Sequence, residues 1–249
     1  MELNLIKRTK KRLGLVRQGV SIRDKLKIIY FFLNRKKINE CCARISRKSI
    51  LKIRKNNPND LWMCDIDMDK SFFNLVKKIR PEKIIDIGAN IGRYSIHFSE
   101  IENSKVICFE PQKDNFKALE GNISLNKRKN ISPYNQGIFD KNTKLDLNIC
   151  EENCGANSLV IERGGKKEKI TVSKLDDFLK EKGFGKVDLI KIDVEGAEIN
   201  VLKGAKETIK KYHPIIFLEI LEDKQEIFDF LLSNGYKISD FGGDNYLAN

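Results

Sequence analysis

The spacing of apolar residues changes period along the chain, and each change marks an element. Residues 1–20 are basic and weakly patterned. Ile22, Leu26, Ile29 and Leu33 then recur at helical spacing, with Arg23, Lys25 and Lys27 off that face. Ser21-Ile22-Arg23-Asp24 reads as a capping box for this helix. A second basic helical stretch is expected through Ile38, Cys42 and Ile45, followed by a short strand over 49–54 and a turn at Pro58-Asn59-Asp60. The pattern predicts a helix over 69–79, with Pro81 closing it.

From residue 83 onward strand and helix alternate. Strands are expected at 83–88, 105–110 and 131–138, with helices at 91–100 and 113–126 between them. Residues 143–172 break the rhythm, with strand-like Leu145–Ile149 and Lys169–Val172 around a Gly/Asn-rich loop. Alternation resumes with helix 175–181, strand 187–193, helix 198–211, strand 214–220 and helix 223–233. Strands near 236–241 and 244–248 end the chain. Such βα repeats predict an α/β fold, a mainly parallel sheet with helices on both faces. Ligands of these sheets bind beyond the carboxyl ends of the strands, where the loops after Ile87, Phe109, Asn135, Ile192 and Leu218 would gather.

The chemistry starts at Asp86-Ile87-Gly88-Ala89-Asn90-Ile91-Gly92, an apolar run stopping at a glycine turn before a helix. A backbone without Cβ at Gly88 lets a nucleotide-like ligand approach closely. The spacing is neither the Gly-x-Gly-x-x-Gly of dinucleotide folds nor a Gly-Lys-Ser/Thr phosphate loop. A second buried strand ends in Phe109-Glu110-Pro111, and an acid there is placed to bind two ribose hydroxyls. Asp193, Glu195 and Glu219 fall at or just beyond adjacent strand ends. Like charges there raise each other's pKa, which marks them as site candidates rather than scaffold. Lys191 shares a strand face with Asp193 and is either its ion-pair partner or a structural lysine. Glu198 opens a helix, where the dipole accounts for an acid. His97 and His213 read as structural, and Asn157 and Ser158 as lining for a substrate pocket in the interrupting loop.

Together, Asp86-Ile-Gly-Ala-Asn-Ile-Gly, Phe109-Glu110-Pro111 with Asn115-Phe116 and Leu119, Lys191-Ile-Asp-Val-Glu-Gly-Ala-Glu198 and Val201-Leu-Lys-Gly-Ala205 resemble the FkbM family of S-adenosylmethionine-dependent methyltransferases. The resemblance runs over roughly residues 50–222. It implies a Rossmann-like class I methyltransferase fold. Asp86 and the Gly88, Ala89 and Asn90 backbone would hold the methionine end of S-adenosylmethionine. Glu110 would take the ribose, and Gln136, Gly137 and Ile138 would lie by the adenine. Asp193 or Glu195 would act as base or anchor for a hydroxyl on a glycan or small-molecule natural product, with Glu219 nearby. Fold relatives that hold a divalent metal at comparable strand ends make a metal bridging Asp193 and Glu219 conceivable, though the spacing does not require one.

Charge changes the picture only for the N-terminus. Residues 1–60 hold 18 Lys/Arg against 4 Asp/Glu, a net +14, whereas 61–249 hold 29 against 31, a net −2. The chain therefore divides into a basic, mostly helical N-terminal extension (1–60) and a methyltransferase domain (61–249). The extension's lysines either solvate a packed helix or meet an anionic membrane surface or other polyanion. Recruitment through it of an RNA or protein methyl acceptor is the competing function, disfavoured because the main domain lacks a basic, aromatic-interleaved surface motif. A third reading, a cofactor-binding partner subunit without catalysis, is opposed by the three acids. The six cysteines lack metal-ligand spacing, Cys150 and Cys154 being the one suggestive pair, and two histidines make no zinc set. The apolar run Ile28–Leu33 is too short for a signal peptide core or a bilayer span. A cytoplasmic protein, peripheral to the membrane at most, is expected.

Overall fold

The computed structural model describes residues 30, 40–54, 57, 60, 63–64, 69–150, 155–162 and 165–249. The capping box at 21–24 and the helix through Ile22 to Leu33 lie outside the described residues, apart from helical Tyr30. Two compact units divide between Asn74 and Leu75, later than the charge boundary at residue 60.

In the first unit, β1 (Glu40–Arg44) and β2 (Ile50–Arg54) form an antiparallel hairpin in register Glu40↔Arg54 to Arg44↔Ile50. The expected strand at 49–54 is present, but where a helix through Ile38, Cys42 and Ile45 was expected, Cys42 lies in a strand and Ile45 in the turn after it, Ile38 falling outside the described residues. Burial there has period two, with Ala43 and Ile45 inside and Cys42 and Arg44 outside, so Cys42 is not on an apolar helix face. The Ile45 and Ser46 N–H groups, both bonded to the Ser49 carbonyl, close the turn. Asp60, buried, accepts from the Arg54 N–H (2.9 Å) and twice from its guanidinium (2.9 and 2.8 Å), anchoring β2.

Helix α1 (Lys70–Ile79) ends at Arg80, whose φ of 53° turns the chain toward Pro81. The second unit then builds one seven-stranded sheet from β3 (Lys83–Ile87), β4 (Lys105–Phe109), β5 (Ile131–Tyr134), β9 (Leu189–Ile192), β10 (Ile215–Glu219), β11 (Ile238–Gly242) and β12 (Asn245–Ala248). Its order is β11-β12-β10-β9-β3-β4-β5, parallel from β10 to β5, with β12 and β11 antiparallel at one edge. β3 and β9 are central and covered on both faces, which explains why each is apolar inside the strand but for one buried charge, Asp86 in β3 and Lys191 in β9. On one face Ile85, Ile87, Ile107, Phe109, Ile190 and Ile192 pack with residues of α4 (Leu175–Lys182), α5 (Glu198–Gly204), α6 (Lys206–Tyr212) and α7 (Lys224–Ser233). The alternate residues of the strands face the other way, where α2 (Arg93–Phe98) contributes Tyr94 and Ser95 and α3 (Lys113–Leu125) follows β4.

Two expectations are corrected in this sheet's surroundings. The single strand foreseen at 131–138 is two strands in different sheets. Asn135 Nδ2 donates to the carbonyls of Glu110 and Pro111 (2.9 and 3.0 Å), bending the chain, and β6 (Gly137–Ile138) joins β7 (Thr143–Asn148) and β8 (Lys167–Ser173) in the order β6-β8-β7. The helix foreseen at 198–211 breaks at Ala205. Gly204 is pressed so closely on Phe139 that a Cβ would lie 2.0 Å from its carbonyl oxygen. The first-turn N–H groups of α6, at Glu207 and Thr208, bond instead to the Asp176 carboxylate of α4. Among the described residues no helix is long and apolar enough to cross a membrane.

Candidate functional site

A cleft opens beyond the carboxyl ends of β3, β4 and β9. One wall is the glycine turn and the end of β4: Gly88, Asn90, Glu110, Pro111, Asn115 and, from β6, Gly137 and Ile138. The facing wall is Asp193, Val194 and Glu195 after β9, with Leu147 of β7 and Gly155, Asn157 and Leu159 of the interrupting loop.

The first wall is rigid because backbone meets backbone. The Gly88 and Ala89 N–H groups donate to the Phe109 carbonyl (3.0 and 2.9 Å), and the Asp193 N–H to the Ile87 carbonyl (3.1 Å). Gly88 has a φ of 79°, and a Cβ there would stand 1.7 Å from the Asp193 carbonyl oxygen, so the position admits glycine alone. Glu110 is 5% exposed. Its Oε2 accepts from the Asn90 N–H (2.8 Å) and Oε1 from the Gln112 N–H (3.0 Å), while Gln112 Oε1 caps α3 by accepting from the Asn115 N–H (2.7 Å). Burial pushes the Glu110 pKa up to about 7, despite those donors and the Lys191 charge pulling it down. The Asn115 side chain hydrogen-bonds the carboxylate as well, and the four lone-pair sites of its two oxygens leave room for one further donor.

Beneath the cleft lies a buried charge cluster. Asp86 and Lys191 are direct partners across the β3–β9 register. Lys191 Nζ contacts the Gly88 carbonyl at 2.9 Å, Asp193 Oδ2 at 3.1 Å and Asp86 Oδ1 at 3.4 Å, and stands 4.7 Å above the Tyr94 ring centre. Ser95 Oγ donates to Asp86 Oδ2 (2.5 Å). Burial disfavours the Lys191 ammonium, but Asp193 and Asp86 more than offset it and raise its pKa.

The loop carrying Asp193 and Glu195 is held from two sides. Glu198, 1% exposed, accepts the Gly196 N–H at Oε1 (2.9 Å), and burial pushes its pKa up to about 7. It ties the loop to α5, a role beyond the dipole contact expected from sequence. Ser158 is fully buried. Its Oγ donates to the Glu195 carbonyl (2.6 Å) and accepts from the N–H groups of Ile161 (3.0 Å) and Val160 (3.2 Å). Glu195 itself has a φ of 55°.

Of the residues singled out in the sequence, Gly88, Asn90, Glu110, Gly137, Ile138, Asn157, Asp193 and Glu195 meet in this cleft. Asp86 and Ala89 do not line it: both are buried, Asp86 in the charge cluster beneath. Gln136 turns away, its Nε2 donating to Ser173 Oγ (3.0 Å), and lines a separate groove beside Asp177 and Phe178. Glu219 pairs with Asn245 of β12 and is not among the lining residues. Ser158 supports the wall instead of facing it. The sequence reading missed Ser95 and Tyr94, which complete the charge cluster, and Leu147 and Leu159; the periodicity of α2 hinted at the first two. His97 is buried and burial lowers its pKa to about 3, while His213 stacks on Tyr236, so both serve packing. The described cysteines, Cys150 included, are free thiols. Among the described residues no group of three or more His, Cys, Asp or Glu is placed to hold a metal ion.

A parallel sheet in this order, with a glycine turn after β3 and a buried acid after β4, defines a Rossmann-like methyltransferase fold. The profile of the Methyltransferase FkbM domain matches residues 86–238, and the chain belongs to that family. It is 28% identical over 156 residues to Methyltransferase sdnD of Sordaria araneosa, a match covering 50% of this chain and 60% of that protein. It is 25% identical over 163 residues to 2-O-methyltransferase NoeI of Sinorhizobium fredii (strain NBRC 101917 / NGR234), covering 59% and 66%. The matches thus span less than two thirds of either relative. The crystal structure of Methyltransferase FkbM from Methylobacillus flagellatus KT superposes with a TM-score of 0.52 at 19% identity, over 68% of this chain and 44% of that one.

Proposed function

We propose that this chain methylates a hydroxyl on a glycan or small-molecule natural product, using S-adenosylmethionine. The observation that carries the reading is one cleft with two dissimilar walls. A buried, hydrogen-bonded carboxylate and a bare glycine backbone face two acids on a loop hung between β9 and α5.

The residues fit the cofactor. Glu110 offers an acceptor for ribose hydroxyls, the Gly88–Asn90 turn a surface without side-chain obstruction, and Gly137 and Ile138 an apolar seat for a base. Bound there, S-adenosylmethionine would supply an electrophilic methyl group. The protein's work is then alignment of an acceptor oxygen. Asp193, ion-paired to Lys191, is suited to accept a hydrogen bond from the acceptor hydroxyl and hold its orientation. Glu195, next along the loop, is suited to take the proton. Val194, Leu147 and Leu159 favour an acceptor with an apolar face and keep water from the reacting oxygen.

Among the described residues lining the cleft there is no Lys or Arg, which favours a neutral acceptor over the phosphate-bearing backbone of an RNA. The relative named as a 2-O-methyltransferase supports oxygen as the methylated atom. The test is calorimetric titration with S-adenosylhomocysteine. Saturable binding by the native protein is expected, with at least about tenfold loss in Glu110→Ala, the ~1.4 kcal/mol of a charged hydrogen bond left unmade. Transfer of labelled methyl to hydroxylated glycans follows. No binding by folded native protein would sink the proposal.

A further inference from the structure

The Asp86–Lys191–Asp193 cluster has a geometry that bears on how the acids of the cleft are neutralised. Three oxygens from two segments, the end of β3 with its turn and the end of β9, converge on one nitrogen: the Gly88 carbonyl at 2.9 Å, Asp193 Oδ2 at 3.1 Å and Asp86 Oδ1 at 3.4 Å. The Tyr94 ring face closes another side at 4.7 Å. An ammonium has three protons to donate and no acceptor, so one lysine satisfies this set. The separations are those of an ammonium. Magnesium would draw the same oxygens to about 2.1 Å and calcium to about 2.3–2.6 Å.

We infer that Lys191 is the built-in cation of this site, its ammonium standing where a divalent metal bridging the strand-end acids would have to sit. A second cation on Asp193 would face that buried ammonium at close range, and Glu219, the other ligand a bridging metal would use, does not line the cleft. The metal therefore does not fit. On the reading of the cleft as a methyl-transfer site, Asp193 meets the acceptor as an ion-paired carboxylate, and Lys191 positions it. The same ammonium grips the Gly88 carbonyl, so one charge fixes the turn of the cofactor wall and the acid of the opposite wall. Its place is set by the sheet, since Lys191 and Asp86 pair in the β3–β9 register.

The experiment has a native arm and a variant arm. Native protein, dialysed against EDTA, is titrated with S-adenosylhomocysteine and separately with manganese, read by calorimetry and by the paramagnetic resonance of free manganese. Expected are an affinity unchanged within about twofold and no stoichiometric manganese site. Lys191→Ala leaves a cavity ringed by three oxygens. It should lose at least about tenfold in S-adenosylhomocysteine affinity, recover part of it with methylammonium, and gain manganese binding that Asp193→Asn abolishes. One manganese bound per native molecule through Asp193, or a tenfold loss of affinity after EDTA, would overturn the inference. So would a folded Lys191→Ala that binds like the native protein or recovers nothing with methylammonium. Lys191→Met, nearly isosteric and uncharged, stands in should the alanine variant fail to fold, with loss of affinity as its expected result. Native protein that ignores S-adenosylhomocysteine altogether would sink the methyl-transfer reading, while the manganese titration would still decide the role of Lys191.

Discussion

Cofactor affinity should rise with pH, and Glu110 is the reason. The carboxyl is 5% exposed and its pKa stands at about 7 because burial outweighs the Asn90 and Gln112 N–H donors and the Lys191 charge. Near pH 6 roughly one molecule in ten then carries the ionised form, and above pH 8 nearly all do. Ribose hydroxyls donate best to the carboxylate. S-adenosylhomocysteine should therefore bind about tenfold more weakly near pH 6 than above pH 8, ~1.4 kcal/mol. The sign for the unliganded protein is opposite. A folded pKa raised above the unfolded 4.5 means the folded chain keeps a proton between about 4.5 and 7 that the unfolded chain releases. Stability falls through that window by up to about 3 kcal/mol. Glu198, also raised to about 7, acts in the same direction, so thermal melts must compare native protein with Glu110→Gln at each pH. Calorimetric titrations across the range give the binding limb, with Glu110→Gln expected weak and flat. A native profile without slope, or a Glu110→Gln profile with the native slope, would refute the reasoning.

Three substitutions probe the supporting frame. Gly88→Ala places a Cβ 1.7 Å from the Asp193 carbonyl oxygen at a positive φ, and should lower stability by about 2–4 kcal/mol in denaturant titrations and abolish cofactor binding. Ser158→Ala removes a donor to the Glu195 carbonyl and the acceptor of the part-buried Val160 and Ile161 N–H groups; a loss of about 1 kcal/mol is expected, with acceptor KM raised and S-adenosylhomocysteine affinity unchanged. Gln136→Ala should leave that affinity within about twofold of native, because the side chain faces Ser173 and not the cleft; a tenfold loss would return Gln136 to the adenine site.

What was legible in the sequence is what local pattern dictates. The apolar runs of β3, β4 and β9, interrupted inside the strands only by Asp86 and Lys191, the glycine turn and the acid after Phe109 announce the alternating fold and the first wall of the cleft, since each is a property of a few consecutive residues. The illegible parts depend on partners distant along the chain. Lys191 reaches a carbonyl 103 positions away; it pairs with Asp193, one of the two readings open in the sequence, and also with Asp86, which only the register sets beside it. Gln136 and Gly137 are neighbours, yet one faces Ser173 and the other the cleft, because the Asn135 side chain bends the strand between two sheets. Glu219 has the strand-end position of a site residue, but β10 continues into the antiparallel edge with β12 and its end contributes nothing to the cleft lining. Cys42 and Ile45 fit a helical spacing by coincidence, and only pairing with β2 assigns Cys42 to a strand and leaves Ile45 in the turn.

The small sheet has a consequence for how the site is built: the strand ends of the large sheet supply Gly88, Glu110, Asp193 and Glu195 to the cleft, while Leu147, Asn157 and Leu159 come from β7 and the loop it leads into. Its chief anchor to the acid-bearing loop is Ser158, which grips the Glu195 main-chain carbonyl and so asks nothing of the side chain there. On the proposed function, substitutions at Leu147, Asn157 and Leu159 would reshape the acceptor side of the cleft, while a hydroxyl kept at position 158 would hold the acid-bearing loop where it is.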